Sequence, residues 1–578
     1  MHTGLINELH NASQSLESVM NRYTKACAAI LGHFEPSSDT ANDLLESVLA
    51  ECSRAFDYEG KLQQAMAFMY RVRNQSPTFV PISVLPPEII SRIFRFSERC
   101  CLPESRWKRH VQPKTHLIYP EVASEVCYHW RQIVLGSHDL WSHIDIDITS
   151  GSQGRLFSRA LEFVAKSNQA RIDLHLRVDF YCPDDQRLAD FSYSLAPRIQ
   201  SLNLQCDSRQ SFPAYAQSLL AGLFSRIVPG NLRSLCLSSQ PEPSFLVTND
   251  STPPNCDPLL IRTIPLNQLL FEEVLCQVTH MRLSAMYPDW TSRAYVGLIE
   301  LELETPQNHD IKINVTELEL ANLLRASPGL RILRFNLNIS SKLGIGRYMP
   351  EPVKLDHLEI IQLAGKYPSA QKVVLCMIYP GQLPLQMSLE VTENFSLQSP
   401  YWVQFVDFIS RSKITRLQIQ GLGPAPAKIY LDSSEIFPLL PQLQVLTLCD
   451  IILGQAREEI LGDYDIMSFQ ALLNGYDHSL PRRDLQLLRL VRCRVYWADF
   501  RHMSELHPAQ TLILDQCEAI KCRTRERRFL FGRSWSWTNE LTNTAMKIYP
   551  SARVEISGTS GLFEELDKTQ SVSIFRQQ

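Results

Sequence analysis

The chain has 578 residues, 44% of them hydrophobic and 20% charged, which are ordinary globular values at a length that allows several domains or one repeat array. Its 57 basic and 61 acidic residues leave a formal charge of −4, so composition excludes the broad positive field of a nucleic-acid or anionic-membrane binder. No apolar run reaches the roughly 18 residues of a membrane span, and the opening MHTGLINELHNASQ lacks the basic-then-apolar order of a secretory signal. Residues 5–31 and 41–73 are predicted as two helices. Leu44, Leu45, Val48, Leu49, Cys52 and Phe56 mark an apolar face on the second, and Leu62, Met66, Met69 and Tyr70 continue it. The intervening PSSDTAND reads as a turn capped by Asp39 or Asn42. Gly60 is the expected point for a kink or split. The pair suits a helical hairpin that packs on the segment after it, and its heptads are too short-lived to claim a coiled coil.

Residues 84–148 are the most informative. LPPEIISRIFRFS, from Leu85, is a Leu-Pro-Pro turn leading into a short helix. Pro87 suits a first helical position, which needs no backbone donor, and Glu88 suits the positive end of the helix dipole. Ile89, Ile90, Ile93, Phe94 and Phe96 share a broad apolar face. In EVCYHWRQIVLGSHDLW, from Glu125, the residues Val126, Trp130, Ile133 and Val134 repeat that spacing. Two such short helices need a core or a partner. Leu85, Pro86, Glu88, Ile89, Ile93, Phe94, Val126, Cys127, Trp130, Arg131, Leu140 and Trp141 together resemble an F-box. That family reads Leu-Pro-x-Glu-(Ile/Leu), Ile-Phe, Val-Cys-x-x-Trp-(Arg/Lys), then Leu-Trp. The resemblance implies a helical module docked on the Skp-type adaptor of a cullin scaffold through Leu85, Pro86, Ile89, Ile93, Val126 and Trp130. The stretch ERCCLPESRWKRHVQPKTHLIYP separates the halves, where compact F-boxes have a short linker.

After Trp141 the pattern Leu-x-x-Leu-x-Leu recurs. It appears as LRSLCL from Leu232, LIELEL from Leu298, LRILRF from Leu330 and LEIIQL from Leu358. It returns as ITRLQI from Ile414, LQVLTL from Leu443 and LQLLRL from Leu485. Looser copies are IQSLNL, THMRLS and AQTLIL, with WSHIDI and RIDLHL as opening strands and ARVEIS as a closing one. The last Leu-x-Leu of each copy turns two apolar side chains inward and the middle residue outward. Helical runs precede several copies: YAQSLLAGLFSRIV, VTELELANLLRA, YWVQFVDFISRS and TNELTNTAMKIY. This grammar predicts an irregular leucine-rich-repeat solenoid with short parallel strands. An ordinary α/β sheet protein shares the helix-strand order, but would carry longer buried strands and a Gly-rich phosphate turn. The Asn that usually follows such strands is replaced by Cys or another polar residue, as at Cys206, Cys449, Cys493 and Cys517. Residues 240–258 and 340–353 are predicted loops. The whole order is similar to the large F-box-like families of mushroom-forming fungi.

The expected fold class is therefore α/β, with helical hairpin 1–78, F-box-like domain 79–147 and repeat region 148–578. No nucleotide, hydrolase, metalloprotease or kinase motif is present, so no enzyme, catalytic residue or cofactor is expected. Cys100, Cys101, His110, His116, Cys127 and His129 cluster in sequence, but without the close ligand pairs zinc prefers, so no metal is expected. Fifteen cysteines without a CxxC pair suit free thiols in a reducing cytoplasmic or nuclear setting. Lys521, Arg523, Arg525, Arg527, Arg528 and Arg533 form a basic run that suits either solvent or an acidic target, and Trp535 and Trp537 follow it. The resemblance implies a substrate-recognition subunit of a Skp-cullin-F-box type ubiquitin ligase, with no nucleic acid and no membrane among its partners. The competing expectation is a non-ligase scaffold built on the same repeats. The outward positions Cys236, Glu302, Arg334, Gln418, Thr447 and Arg489 are the expected substrate-binding ladder.

Overall fold

A computed structural model describes residues 2–34, 41–74, 76, 78–97, 120–147, 153–179, 186–207, 214–240, 244–248, 261–264, 266–305, 314–340, 351–391, 400–422, 427–431, 440–453, 485–496, 508–520 and 553–557. By contacts, the described residues up to Ser137 form one compact unit and those from His138 onward a second. The division falls inside the expected 79–147 domain, and Leu140 and Trp141 belong to the second unit.

In the first unit, α1 (His2–His33) and α2 (Ala41–Asn74) are long single helices. Gly60 does not interrupt α2, because its site is solvated and nothing lies within reach of a Cβ there. Asn42 is already helical and so is not the cap, and Asp39 lies outside the described residues. The apolar faces of both helices are largely exposed, with Leu5, Leu9, Leu16, Leu49, Phe56 and Val72 at 49% or more. The Tyr23 and Tyr58 rings meet edge-on at 6.4 Å. Arg71 lies over the Tyr128 ring at 3.5 Å, a cation–π contact that ties the end of α2 to α5 (Tyr128–Gly136). The other helices of this unit are α3 (Pro87–Ser97) and α4 (Glu121–Val126).

The second unit is a mixed helix and strand structure built on one large parallel sheet. Its strands are β1 (His143–Asp147), β2 (Ile172–Asp179), β3 (Ile199–Asp207), β4 (Ser234–Gln240), β5 (His280–Ser284), β6 (Glu300–Glu304) and β7 (Ile332–Asn336). They continue as β8 (Ile360–Leu363), β9 (Leu385–Val391), β10 (Ile414–Gly421), β11 (Val445–Cys449), β12 (Leu485–Val491), β13 (Ala509–Asp515) and β14 (Arg553–Ser557). All 14 pair in chain order, each with the next, and the two end strands do not close on one another, so this is not a barrel. Every copy of the leucine pattern named above becomes one of these strands. β9 is the exception that the pattern missed. Its Met387-Ser-Leu389 alternation follows Pro380 and Pro384, which hide it among turn signals.

The register explains the alternation. Ile144, Leu174, Leu202, Leu235, Met281 and Leu301 pair across successive strands. Ile146, Leu176, Leu204, Leu237, Leu283 and Leu303 form the parallel row two residues on. All are at most 2% exposed. Both rows run on through Leu333 and Phe335 to Leu446 and Leu448, then Leu488 and Leu490. No single repeat could bury such a face alone, but neighbours share it. Crossover helices include α6 (Gln153–Ser167), α7 (Gln186–Leu195), α8 (Ala214–Phe224) and α9 (Gln268–Leu275). Further on are α10 (Glu317–Ala326), α11 (Pro368–Met377) and α12 (Pro400–Ser410). They bury Phe163, Phe224, Phe271, Leu324, Leu375 and Phe405. Thr316 and Glu319 close a reciprocal capping box on α10. The helix expected over 538–549, most of the loop 340–353, the basic run and Trp535 and Trp537 lie outside the described residues.

The strand ends share a device. Ala285, Asp450, Arg492 and Gln516 have φ of 63°, 55°, 50° and 53°, each directly after a strand. The left-handed backbone turns the chain off the sheet at a cost of roughly 1–2 kcal/mol per non-glycine residue. The first three donate N–H to the end of the following strand, Asp450 to Val491 O at 2.9 Å and Arg492 to Asp515 O at 2.7 Å. Short strands follow, and Ile451–Leu453, Arg494–Tyr496 and Glu518–Ile520 join Ala427–Leu431 in a second parallel sheet. The expected loop 240–258 is corrected here. It contains the strand Ser244–Thr248, which pairs with Ile261–Ile264 and Met286–Pro288, because Phe245, Leu246 and Val247 are a buried apolar run. Two cysteines after the strand ends donate to the backbone. Cys493 Sγ reaches Leu448 O at 3.2 Å and Cys517 Sγ reaches Leu490 O at 3.3 Å, two carbonyls in register.

Candidate functional site

The short helices of the first unit form a small core and a separate outer face. Ile90 and Phe94, one turn apart on α3, are 0% and 4% exposed. The Phe94 ring meets Trp130 edge-on at 4.7 Å, and Ala123, Ile133 and Val134 complete the core. Cys127 is extended between α4 and α5 and caps α5, its Sγ accepting the Trp130 N–H at 3.4 Å. Arg131 reaches back to Ser124 O at 2.9 Å. Turned outward are Leu85 at 36%, Ile89 at 45%, Ile93 at 40% and Val126 at 56% exposure, with Pro86 also exposed. Ile89 and Ile93 are one turn apart on α3 and so form an apolar row on one side of it. Trp130 is half-buried, with its ring against Phe94.

The sheet presents a second surface. Between the two apolar rows, one residue of each strand faces the other way, and register joins them into a single line. It runs Asp145, His175, Asn203, Cys236, Arg282, Glu302, Arg334. It continues Gln362, Ser388, Gln418, Thr447, Arg489 and Ile513. The residues expected from sequence, Cys236, Glu302, Arg334, Gln418, Thr447 and Arg489, all fall on this line. They are not equally available. Arg334 is paired with Glu300 and lies 3.3 Å from Glu302, while its Nε donates to Gln362 at 2.8 Å. Arg282 holds Glu300 at 3.1 Å and Glu302 at 3.5 Å. Burial alone would raise the Glu300 carboxyl, but Arg282 and Arg334 outweigh it and hold the group below its ordinary value. Glu302 is 2% exposed. The middle of the line is thus closed on itself, whereas Gln418 and Thr447 are half-buried and Arg489 is exposed. Burial pushes the Cys236 thiol up to about 12 and Cys449 up to about 11, so neither acts as a thiolate nucleophile.

At its β1 end the line carries chemistry that the sequence analysis did not single out. His143, Asp145 and His175 bring their ligand atoms within 4.8 Å of one another, the one such group among the described residues. Burial, then the neighbouring His143, lowers the His175 ring to about 4 against the pull of Asp145. WSHIDI and RIDLHL held the signal, a His-x-Asp on one strand opposite a His on the next. Register is what unites them, and alternation within each segment does not give register. Of the six sequence-clustered cysteines and histidines, Cys127 serves as a cap, His129 is half-buried, and the other four lie outside the described residues.

No protein-family model matches the chain, and no curated protein matches it significantly. Among the described residues, no helix is long and apolar enough to cross a membrane.

Proposed function

We propose that this protein is the substrate-recognition subunit of a Skp-cullin-F-box type ubiquitin ligase. The F-box-like helices dock on the adaptor through Leu85, Pro86, Ile89, Ile93, Val126 and Trp130. The strands form an irregular leucine-rich-repeat solenoid whose polar line receives the target. The chain does no bond chemistry itself. It acts in the cytoplasm or nucleus by holding a target near a separate conjugating enzyme, which raises the effective concentration of the target's lysines. The observation that carries this reading is the division of labour on α3. Ile90 and Phe94 are sealed inside while Ile89 and Ile93 remain exposed, and a short helix with a filled core has no internal use for a second apolar row.

The test is the double substitution Ile89→Asp with Ile93→Asp. Both side chains are exposed, so the unit keeps its core while two unpaired charges enter the proposed interface. Binding to a purified Skp-type adaptor should fall about 100-fold or more, with circular dichroism and melting unchanged. Wild-type affinity in the folded double variant would reject the adaptor assignment and leave the non-ligase scaffold as the better account.

A further inference from the structure

We propose that His143, Asp145 and His175 form a binding site for a divalent transition-metal ion of the zinc class, clipping the edge strand β1 to β2. Alternation puts His143 and Asp145 on one face of β1, and register sets His175 directly beside Asp145. Asp145 Oδ1 lies 3.2 Å from His143 Nε2 and 3.5 Å from His175 Nδ1. Metal–donor bonds of about 2.0–2.2 Å at tetrahedral angles place neighbouring donors about 3.3–3.6 Å apart. The 3.5 Å separation falls in that range and the 3.2 Å one lies just below it. The nitrogen and oxygen donors match the borderline preference of zinc and its neighbours and do not suit calcium or magnesium.

The surroundings support an ion at this point. The Asp145 side chain is 3% exposed and those of His143 and His175 are 15% and 13% exposed, so the donors are held with little freedom. Asp145 Oδ2 lies 4.0 Å from Arg159 Nη1, while Oδ1 faces the two rings. Three protein donors leave a fourth position for water or a side chain of a bound partner. A cross-strand ion would oppose fraying of β1, which has one paired neighbour among the described residues.

The probe is Co2+ added to the chelator-treated full chain, read by absorption, because thiolate ligation gives a separate charge-transfer band that tells a cysteine site from this one. Wild type should take up one equivalent with a visible tetrahedral band and no thiolate charge-transfer band. Its melting temperature should rise on loading. His143→Asn with His175→Asn should lose that equivalent and the rise, with binding weakened at least about 100-fold. The single His143→Asn, which leaves β2 untouched, should weaken it in the same direction if the double variant does not fold. Failure of wild type to bind a nitrogen- and oxygen-ligated equivalent would overturn the site. So would equal uptake by wild type and a folded variant, or thiolate bands on the equivalent that the variants lose.

Discussion

At the residue scale the polar line shows how one position per strand is used in different ways. Arg334 and Arg282 pair with Glu300 and Glu302, two buried carboxylates of β6 at 6% and 2% exposure. A charge left unpaired there would cost several kcal/mol, so these arginines are structural before they are recognition groups. His175 gives a sharper case. It faces His143 and Asp145, with Arg159 beyond the carboxylate. Its folded value of about 4 lies below the ordinary 6.5. As pH falls below 6.5 the unfolded chain takes up a proton that the folded chain refuses. Stability is then lost between pH 6.5 and about 4, and this loss levels off below that. The gap corresponds to about 3 kcal/mol. Chelator-treated wild type and His175→Asn, compared by denaturant melts at pH 7 and pH 4.5, should differ in this acid-dependent loss. Parallel losses in both would show that His175 titrates normally in the folded protein.

At the element scale the leucine alternation is the main support of each strand. In β11, Leu446 and Leu448 are 3% and 0% exposed while Thr447 is half-buried on the opposite side. Leu446→Ala or Leu448→Ala should each destabilise by about 2–5 kcal/mol, and Thr447→Ala should stay within about 0.5 kcal/mol. Three similar melting shifts would contradict the alternation. This layer of the fold was legible in the sequence, because burial on one face imposes a period of two that survives irregular spacing. Legibility ended where the determining contacts are not periodic. Ser244–Thr248 looked like loop because its apolar residues are short and flanked by proline. The left-handed turns at Asp450, Arg492 and Gln516 carry no glycine to announce them. On α3 the sequence placed five apolar residues on a broad face, and only packing separates Ile90 and Phe94, turned inward, from Ile89 and Ile93, turned outward. Trp130 matched a family position, and only the structure shows its ring against Phe94.

At the scale of the whole molecule the two compact units have different economies. The second is held by continuous apolar rows shared among 14 strands. The first has a small core at α3, α4 and α5 and leaves long apolar stripes on α1 and α2 exposed, surface that a soluble chain usually covers with a partner. The most direct measurement is an affinity purification of the tagged full-length chain from its native cells, run beside the Ile89→Asp, Ile93→Asp variant. A Skp-type adaptor and a cullin should accompany the wild type in near-stoichiometric amounts and be missing from the variant. Wild-type protein that isolates with neither would contradict the ligase account.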